Sequence, residues 1–251
     1  MSTPLNTQIA FITGGNRGLG LETARQLGKL GILPVIGARS EQAGIDAVAK
    51  LKADGVTAES IVFDATKPAD RARAVDFFQA RAGRLDILVN NAGVFLEGEP
   101  GVSRPYTAAT LPEKVLRDTM ETNFFAPVAL TQALLPLLKK APAGRIVNLA
   151  SILGSLTLHS DPTSPIYEMK SAAYDTSKTA LNSFTVQLAF ELKGSSVKVN
   201  SAHPGWVHTE MGGPSAPMNV EDGAKTSVRL ATLPAAGPSG GFFHMGDALP
   251  W

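Results

Sequence analysis

Residues 11–28 read "FITGGNRGLGLETARQLG", and their order of residue types decides the fold. A short apolar run that opens at Ile9 ends in a cluster of glycines. The chain then continues as a segment of helical period. The glycines fall at Gly14, Gly18 and Gly20, a G-x3-G-x-G spacing in place of the commoner G-x-G-x-x-G. Glycines let a backbone come close to a pyrophosphate, and a helix starting near residue 18 offers that anion unpaired N–H groups. A turn of this composition also serves as a plain tight connection, so the rest of the chain has to choose.

Outward from this unit, β-branched runs alternate with longer segments of helical period. Strands are expected at Ile9–Ile12, Leu33–Ala38, Ile61–Asp64, Asp86–Asn90, Arg145–Leu149 and Lys198–His203, with a seventh near Gly241–Phe243. Helices fit Leu19–Lys29, Glu41–Ala53, Pro68–Ala82, Thr122–Lys140 and Ser171–Leu192. Runs such as "ILV" and "RIVNLA" are apolar on both alternating faces, as strands covered by helices on both sides require. The pattern predicts an α/β fold: one Rossmann-type, doubly wound parallel sheet of about seven strands with helices on both faces. No linker or internal repeat divides residues 1–251, so one domain is expected. Two stretches break the rhythm, Glu97–Pro112 after the fourth strand and Ser155–Ala173 after the fifth. Both would lie beyond the carboxyl ends of strands, where such sheets bind ligands.

Bulk properties exclude several roles. Lys and Arg total 23 against 22 Asp and Glu, a formal charge of +1, which offers no field to gather nucleic acid or an anionic membrane. Cysteine is absent, so disulfides, thiolate metal sites and a cysteine nucleophile are ruled out. His159, His203, His208 and His244 lack ligand spacing, and no metal is expected. The opening residues show no signal peptide. The apolar segment "FFAPVALTQALLPLL" is too short and too interrupted to span a bilayer, and a cytoplasmic protein is expected.

Other strand ends converge on the glycine turn. "VFDA" brings Asp64 and Ala65 to where an adenine could lie, and "VNNAG" brings Asn91 and Gly93 to the same crevice. A carboxylate for the adenosine ribose normally stands about 20 residues beyond the turn. Here that place holds Ala38 followed by Arg39. With Arg17 inside the turn, two guanidiniums could bracket a 2′-phosphate, which favours NADPH over NADH. The alternative is that both arginines are solvated surface charges.

Two tyrosines stand near two lysines in "PIYEMKSAAYDTSKTA", residues 165–180. Tyr174 and Lys178 are four apart and share a helix face, whereas Tyr167 and Lys170 are three apart and follow Pro165. A phenol titrates near pH 10, and bringing it to neutrality takes about 4 kcal/mol. An ammonium some 4 Å away at an effective dielectric near 20 supplies roughly that much. Standing alone, the pair reads better as an exposed Tyr beside a solvated Lys.

Taken in order, "TGGNRGLG", "NNAG", "ETN", "NLAS", "YDTSK" and "PGWVHT" resemble the short-chain dehydrogenase/reductase family across essentially the whole chain, and most of all its NADPH-dependent carbonyl reductases. The resemblance implies a catalytic set of Asn123, Ser151, Tyr174 and Lys178. It implies cofactor contacts from Gly14, Asn16, Arg17, Gly18, Leu19 and Gly20, from Arg39, Asp64, Ala65, Asn91 and Gly93, and from Tyr174, Lys178, Val207 and Thr209. Tyr174 would protonate a carbonyl oxygen, Ser151 would hydrogen-bond it, Lys178 would lower the Tyr174 pKa and hold the nicotinamide ribose, and Asn123 would anchor a water. Val94, Leu153 and Trp206 would form an apolar wall for a small carbonyl substrate. Residues 152–173 exceed the family's usual spacing between Ser and Tyr. The insertion at about 155–173 adjoins both the active-site mouth and a helix that relatives use to dimerise, which leaves monomer or homodimer open. Residues 209–222 read as a lid. The implied activity is reduction of aldehydes or ketones. An alcohol dehydrogenase using NADP or NAD in the oxidative direction shares the fold. So does a nucleotide sensor without turnover, but that class tends to lose the Tyr and Lys that this chain keeps.

Overall fold

Strand β1 (Ile9–Thr13) is buried along its whole length, because it runs through the middle of a sheet whose two faces are both covered. The structure is a computed structural model and describes residues 7–98 and 105–251. Part of the Glu97–Pro112 stretch and the first six residues therefore lie outside the described residues. β1 pairs in parallel with β2 (Leu33–Ala38) on one side and with β4 (Ile87–Asn90) on the other. The full order is β3-β2-β1-β4-β5-β6-β7-β8, with β3 at Glu59–Val62, β5 at Arg145–Leu149, β6 at Lys198–Ala202, β7 at Phe242–His244 and β8 at Asp247–Ala248. Successive strands are added in one direction from β1 to β3 and in the other from β4 onward, and this switch of strand order between β1 and β4 opens a crevice at their carboxyl ends.

Alternate residues of each strand feed two cores. Phe11, Val35 and Leu88 pack with Phe78 of α3 (Pro68–Ala82), Leu130 and Leu134 of α5 (Ala126–Leu138) and Leu188 of α7 (Ala172–Glu191). Ala10, Ile12, Ile36 and Val89 face the other way, onto Ala24 and Leu27 of α1 (Gly18–Lys29), Leu51 of α2 (Glu41–Ala53) and Leu230 of α8 (Val220–Ala231). Local chemistry sets the helix ends. Ser40 Oγ accepts from the Ala43 N–H at 3.3 Å to start α2. Pro68 opens α3, and Gly83, at φ 68°, closes it.

Four expectations are corrected. The sheet has eight strands, not about seven: β8 is antiparallel, turning back from β7 over Met245 and Gly246, both at positive φ. A two-residue hairpin turn of that hand is favoured by Gly, Asn or Asp at both positions, and Met245 hides it from a sequence reading. β3 begins earlier than Ile61 and ends at Val62, although the Phe63 N–H still donates to the Ala38 carbonyl at 2.7 Å. The long helix expected at Thr122–Lys140 opens instead as a π turn (Glu121–Phe125), which continues α4 (Glu113–Met120), and only then runs on as α5. Residue 127 is a proline, so the N–H that an α-helix would aim at the Asn123 carbonyl does not exist. The last residues of the expected 209–222 lid form the first turn of α8, which Asn219 caps through the Asp222 N–H at 2.7 Å. No helix among the described residues is long and apolar enough to cross a membrane.

Candidate active site

The glycine turn is fastened to the neighbouring strand before anything binds to it. Thr13 Oγ1 accepts from the N–H groups of Asn91 and Ala92, each at 3.0 Å. Asn91 Nδ2 donates to the carbonyls of Thr13 at 2.8 Å and Gly14 at 3.2 Å. Gly14 and Gly18 adopt φ of 61° and 52°, conformations that suit glycine. A Cβ at Gly20 would lie 2.5 Å from both Asn91 Nδ2 and the Gly14 carbonyl. Gly20→Ala is therefore expected to cost about 1–3 kcal/mol of stability by overpacking, read as a lower thermal midpoint. An unchanged midpoint would mean that the turn relaxes freely.

Asn16 and Leu19 belong to the same turn and are half-buried. Arg39 is exposed just past β2, close enough to act on Asp64. Burial works against the charge of the Asp64 carboxyl, but hydrogen bonds from Thr66 and the positive charges of Lys67 and Arg39 hold it below its ordinary range. Ala65 is buried beside it. Arg17 stands apart from the expected pair, because its Nη1 donates to the Glu210 carboxyl. Thr209 approaches the turn as well, with its methyl 3.6 Å from the point where a Gly18 Cβ would sit. Val207 is buried, and its carbonyl accepts from Thr209 Oγ1 at 3.3 Å.

At the end of β5, Ser151 is buried and precedes a 3-10 turn (Ile152–Gly154). Its hydroxyl bonds the Tyr174 phenol and accepts from the Leu153 N–H at 3.2 Å. Tyr174 and Lys178 sit one turn apart near the start of α7, with the ammonium 5.5 Å from the ring centroid. Tyr167 and Lys170 lie before that helix begins, and Lys170 instead bonds the His159 carbonyl at 2.8 Å. Lys178 is 4% exposed, and Nζ donates to the Leu149 carbonyl at 2.8 Å. Loss of water lowers its pKa to about 8.

The expectation that Lys178 lowers the Tyr174 pKa is reversed in this structure. The phenol is pushed up to about 12, chiefly by burial and also by Asp175, with the Ser151 hydrogen bond opposing. The crevice penalises both ions at once: the same loss of water that weakens the ammonium also penalises the phenolate.

Asn123, in the π turn, spends its amide on the loop after β4. Oδ1 accepts from the Val94 N–H at 2.8 Å, and Nδ2 donates to the Val94 carbonyl at 2.9 Å and to Ser177 Oγ at 3.1 Å. A Cβ at Gly93 would lie 3.3 Å from Asn123 Oδ1 and 3.6 Å from Lys178 Nζ, so Gly93 joins the two. Val94, Leu153 and Trp206 follow the carboxyl ends of β4, β5 and β6, and the Trp206 indole donates to the Gly212 carbonyl at 2.8 Å. The stretch between the 3-10 turn and α7, residues 155–171, touches α7 and the residue at the chain's end. His159 Nε2 lies 3.3 Å from the Asp175 carboxyl, and the Thr157 N–H donates to the Trp251 carbonyl at 2.8 Å.

Sequence reasoning missed His203. Its Nδ1 accepts from the N–H groups of Ile152 at 3.2 Å and Gly205 at 3.4 Å, tying the serine loop to the loop after β6. Burial and the nearby His244 push its pKa down to about 3, which keeps it a neutral acceptor. The one available signal was its place directly after a strand, in "HPG". Among the described residues, no group of three or more His, Cys, Asp or Glu could hold a metal ion.

Residues 8–219 match the model of the short chain dehydrogenase family. The chain is a member of that family. This dehydrogenase/reductase is 32% identical to "Short-chain dehydrogenase/reductase 1" of Saponaria officinalis, over 96% of its own length and 95% of that protein's. It is 31% identical to carbonyl reductase [NADPH] 1 of Mus musculus, over 97% and 98% of the two chains. Its structure resembles that of NADPH-bound carbonyl reductase from chicken fatty liver, with a TM-score of 0.81, 26% identity and coverage of 98% and 99%.

Proposed function

We propose that this dehydrogenase/reductase uses NADPH to reduce aldehyde or ketone carbonyls to alcohols, with Tyr174 as general acid. The observation that carries the reading is the Ser151–Tyr174–Lys178 cluster, with its phenol pushed up to about 12. The Ser151 hydroxyl on the phenol and the Lys178 ammonium beside its ring place Tyr174 to give its proton to a substrate oxygen.

The residues present suit the cofactor. Two glycines at positive φ and the start of α1 form an anion cradle, and Arg39 stands where a 2′-phosphate would lie. Two of the relatives named above, the mouse carbonyl reductase [NADPH] 1 and the NADPH-bound chicken carbonyl reductase, support the same choice. Val207 and Thr209 would hold the carboxamide, and Arg17 would join Arg39 on the phosphate by leaving Glu210. When bound, NADPH supplies the hydride that the carbonyl carbon receives. The Ser151 hydroxyl orients the carbonyl oxygen and offsets its growing negative charge. Tyr174 passes its proton to that oxygen. Lys178, still mostly charged at neutral pH with its pKa at about 8, favours the resulting phenolate. The Asn123 carbonyl, deprived of an α-helical donor by Pro127, is the group that would hold a water feeding protons back to Lys178. Val94, Leu153 and Trp206 form the apolar wall against which the substrate body rests.

The test is NADPH consumption by the purified protein against aldehydes, aromatic ketones, diketones, quinones and keto esters, with NADH in parallel. Turnover that prefers NADPH is expected. Tight NADPH binding with no turnover on any of them would favour a nucleotide sensor instead.

A further inference from the structure

The helix carrying Tyr174 starts in an unusual way. Ser171 occupies its N-cap position, where a serine hydroxyl ordinarily accepts a hydrogen bond from an N–H in the first turn. Here Ser171 Oγ is buried and makes no hydrogen bond. The third N–H of the helix, that of Tyr174 itself, instead donates to Glu97 Oε2 at 2.7 Å. Glu97 comes from the loop after β4 and is 2% exposed. A carboxyl is rarely buried so fully without a specific partner, and the start of a helix is a favourable place for its oxygens.

The same loop grips Tyr174 a second time. The Phe95 ring packs against the Tyr174 ring with centroids 5.5 Å apart. Between this loop and the π turn, Val94 is held on both sides of its peptide by Asn123. The contacts thus run from Asn123 to Val94, then through Phe95 and Glu97 to the backbone and ring of Tyr174. Neither Phe95 nor Glu97 belongs to the catalytic set implied by the family motifs.

We propose that Glu97 is a positioning residue for Tyr174, fixing the first turn of α7 so that the phenol stands within reach of the substrate oxygen. The proposal rests on the reading of Tyr174 as general acid. A donor has to stand about 2.6–3.2 Å from the atom it protonates, and a misplacement near 1 Å costs on the order of 100-fold. Loosening the backbone N–H of Tyr174 acts directly on that distance.

The experiment compares steady-state kinetics of the wild type, Glu97→Ala, Glu97→Gln, Tyr174→Phe and the Glu97→Ala/Tyr174→Phe double variant, using NADPH and the best carbonyl substrate. Glu97→Ala is expected to lower kcat by on the order of 10- to 100-fold while leaving the KM for NADPH nearly unchanged. Glu97→Gln keeps an acceptor oxygen in place and is expected to recover most of the lost kcat, which separates positioning from failure to fold. In the Tyr174→Phe background, Glu97→Ala is expected to add no further loss. A wild-type kcat in Glu97→Ala, a loss in Glu97→Gln equal to that in Glu97→Ala, or the same loss with Phe at 174 would each overturn the proposal while leaving the role of Tyr174 intact. Full activity in Tyr174→Phe alone would overturn the general-acid reading and this proposal with it.

Discussion

Tyr174→Phe is expected to lower turnover by about 10²- to 10⁴-fold, the range that a positioned general acid contributes, while NADPH binds nearly as tightly as before. The substitution removes one oxygen and keeps the ring, so the packing against Phe95 survives. Ser151 loses its bond to the phenol but still accepts from the Leu153 N–H, so the serine loop stays in place. Lys178 keeps its hold on the Leu149 carbonyl. The loss therefore falls on kcat and not on cofactor affinity, and single-turnover kinetics beside a binding titration separates the two. Tyr167→Phe is the matched control. Tyr167 lies before α7 begins, and its removal is expected to leave turnover unchanged. The opposite pattern would mean that the chemistry belongs to Tyr167.

Arg39→Asp is expected to reverse the cofactor preference. It replaces an exposed cation just past β2 with an anion at the place where a 2′-phosphate would lie. Losing a charge-assisted contact and adding a like charge costs about 2–5 kcal/mol, so NADPH should bind roughly 30- to 5,000-fold more weakly. NADH, which has no phosphate there, should bind as well as before or better. The new carboxylate also stands near Asp64, whose charge Arg39 now supports, so part of the penalty falls on the protein with either cofactor. That common part is read from NADH and subtracted. Equal losses for both cofactors would remove the phosphate from the account of Arg39. Arg17 does not rescue the variant easily, because Glu210 already competes for its guanidinium. Raising ionic strength should weaken NADPH binding in the wild type more than in Arg39→Asp, since exposed charges are screened over about 8–10 Å.

Much of the fold and part of the site were legible in the chain itself. Strands buried on both faces carry uninterrupted apolar runs, and helices between them repeat every three to four residues, so the order and kind of elements follow from short-range periodicity. The glycine turn declares itself because glycine adopts the positive φ of Gly14 and Gly18 with least strain. Tyr174 and Lys178 are paired by a helical spacing of four. What stayed hidden depends on partners far away in sequence. The Tyr174 N–H meets Glu97 across 77 residues, Ile152 meets His203 across 51, Asn123 meets Val94 across 29, and Arg17 meets Glu210 across 193. No local pattern encodes such contacts, because they exist only after the strands have brought their carboxyl ends to one crevice. The pKa values are of the same kind. A lysine four residues from a tyrosine predicts a lowered phenol at an intermediate effective dielectric, and only the depth at which α7 packs reveals that lost hydration is the largest influence on the phenol. Sequence by itself therefore determined the sheet, the turn and the reactive pair, through periodicity and spacing. Tertiary packing alone decided how those groups are held and which of them keeps its proton, because burial and long-range hydrogen bonds arise from the folded arrangement as a whole.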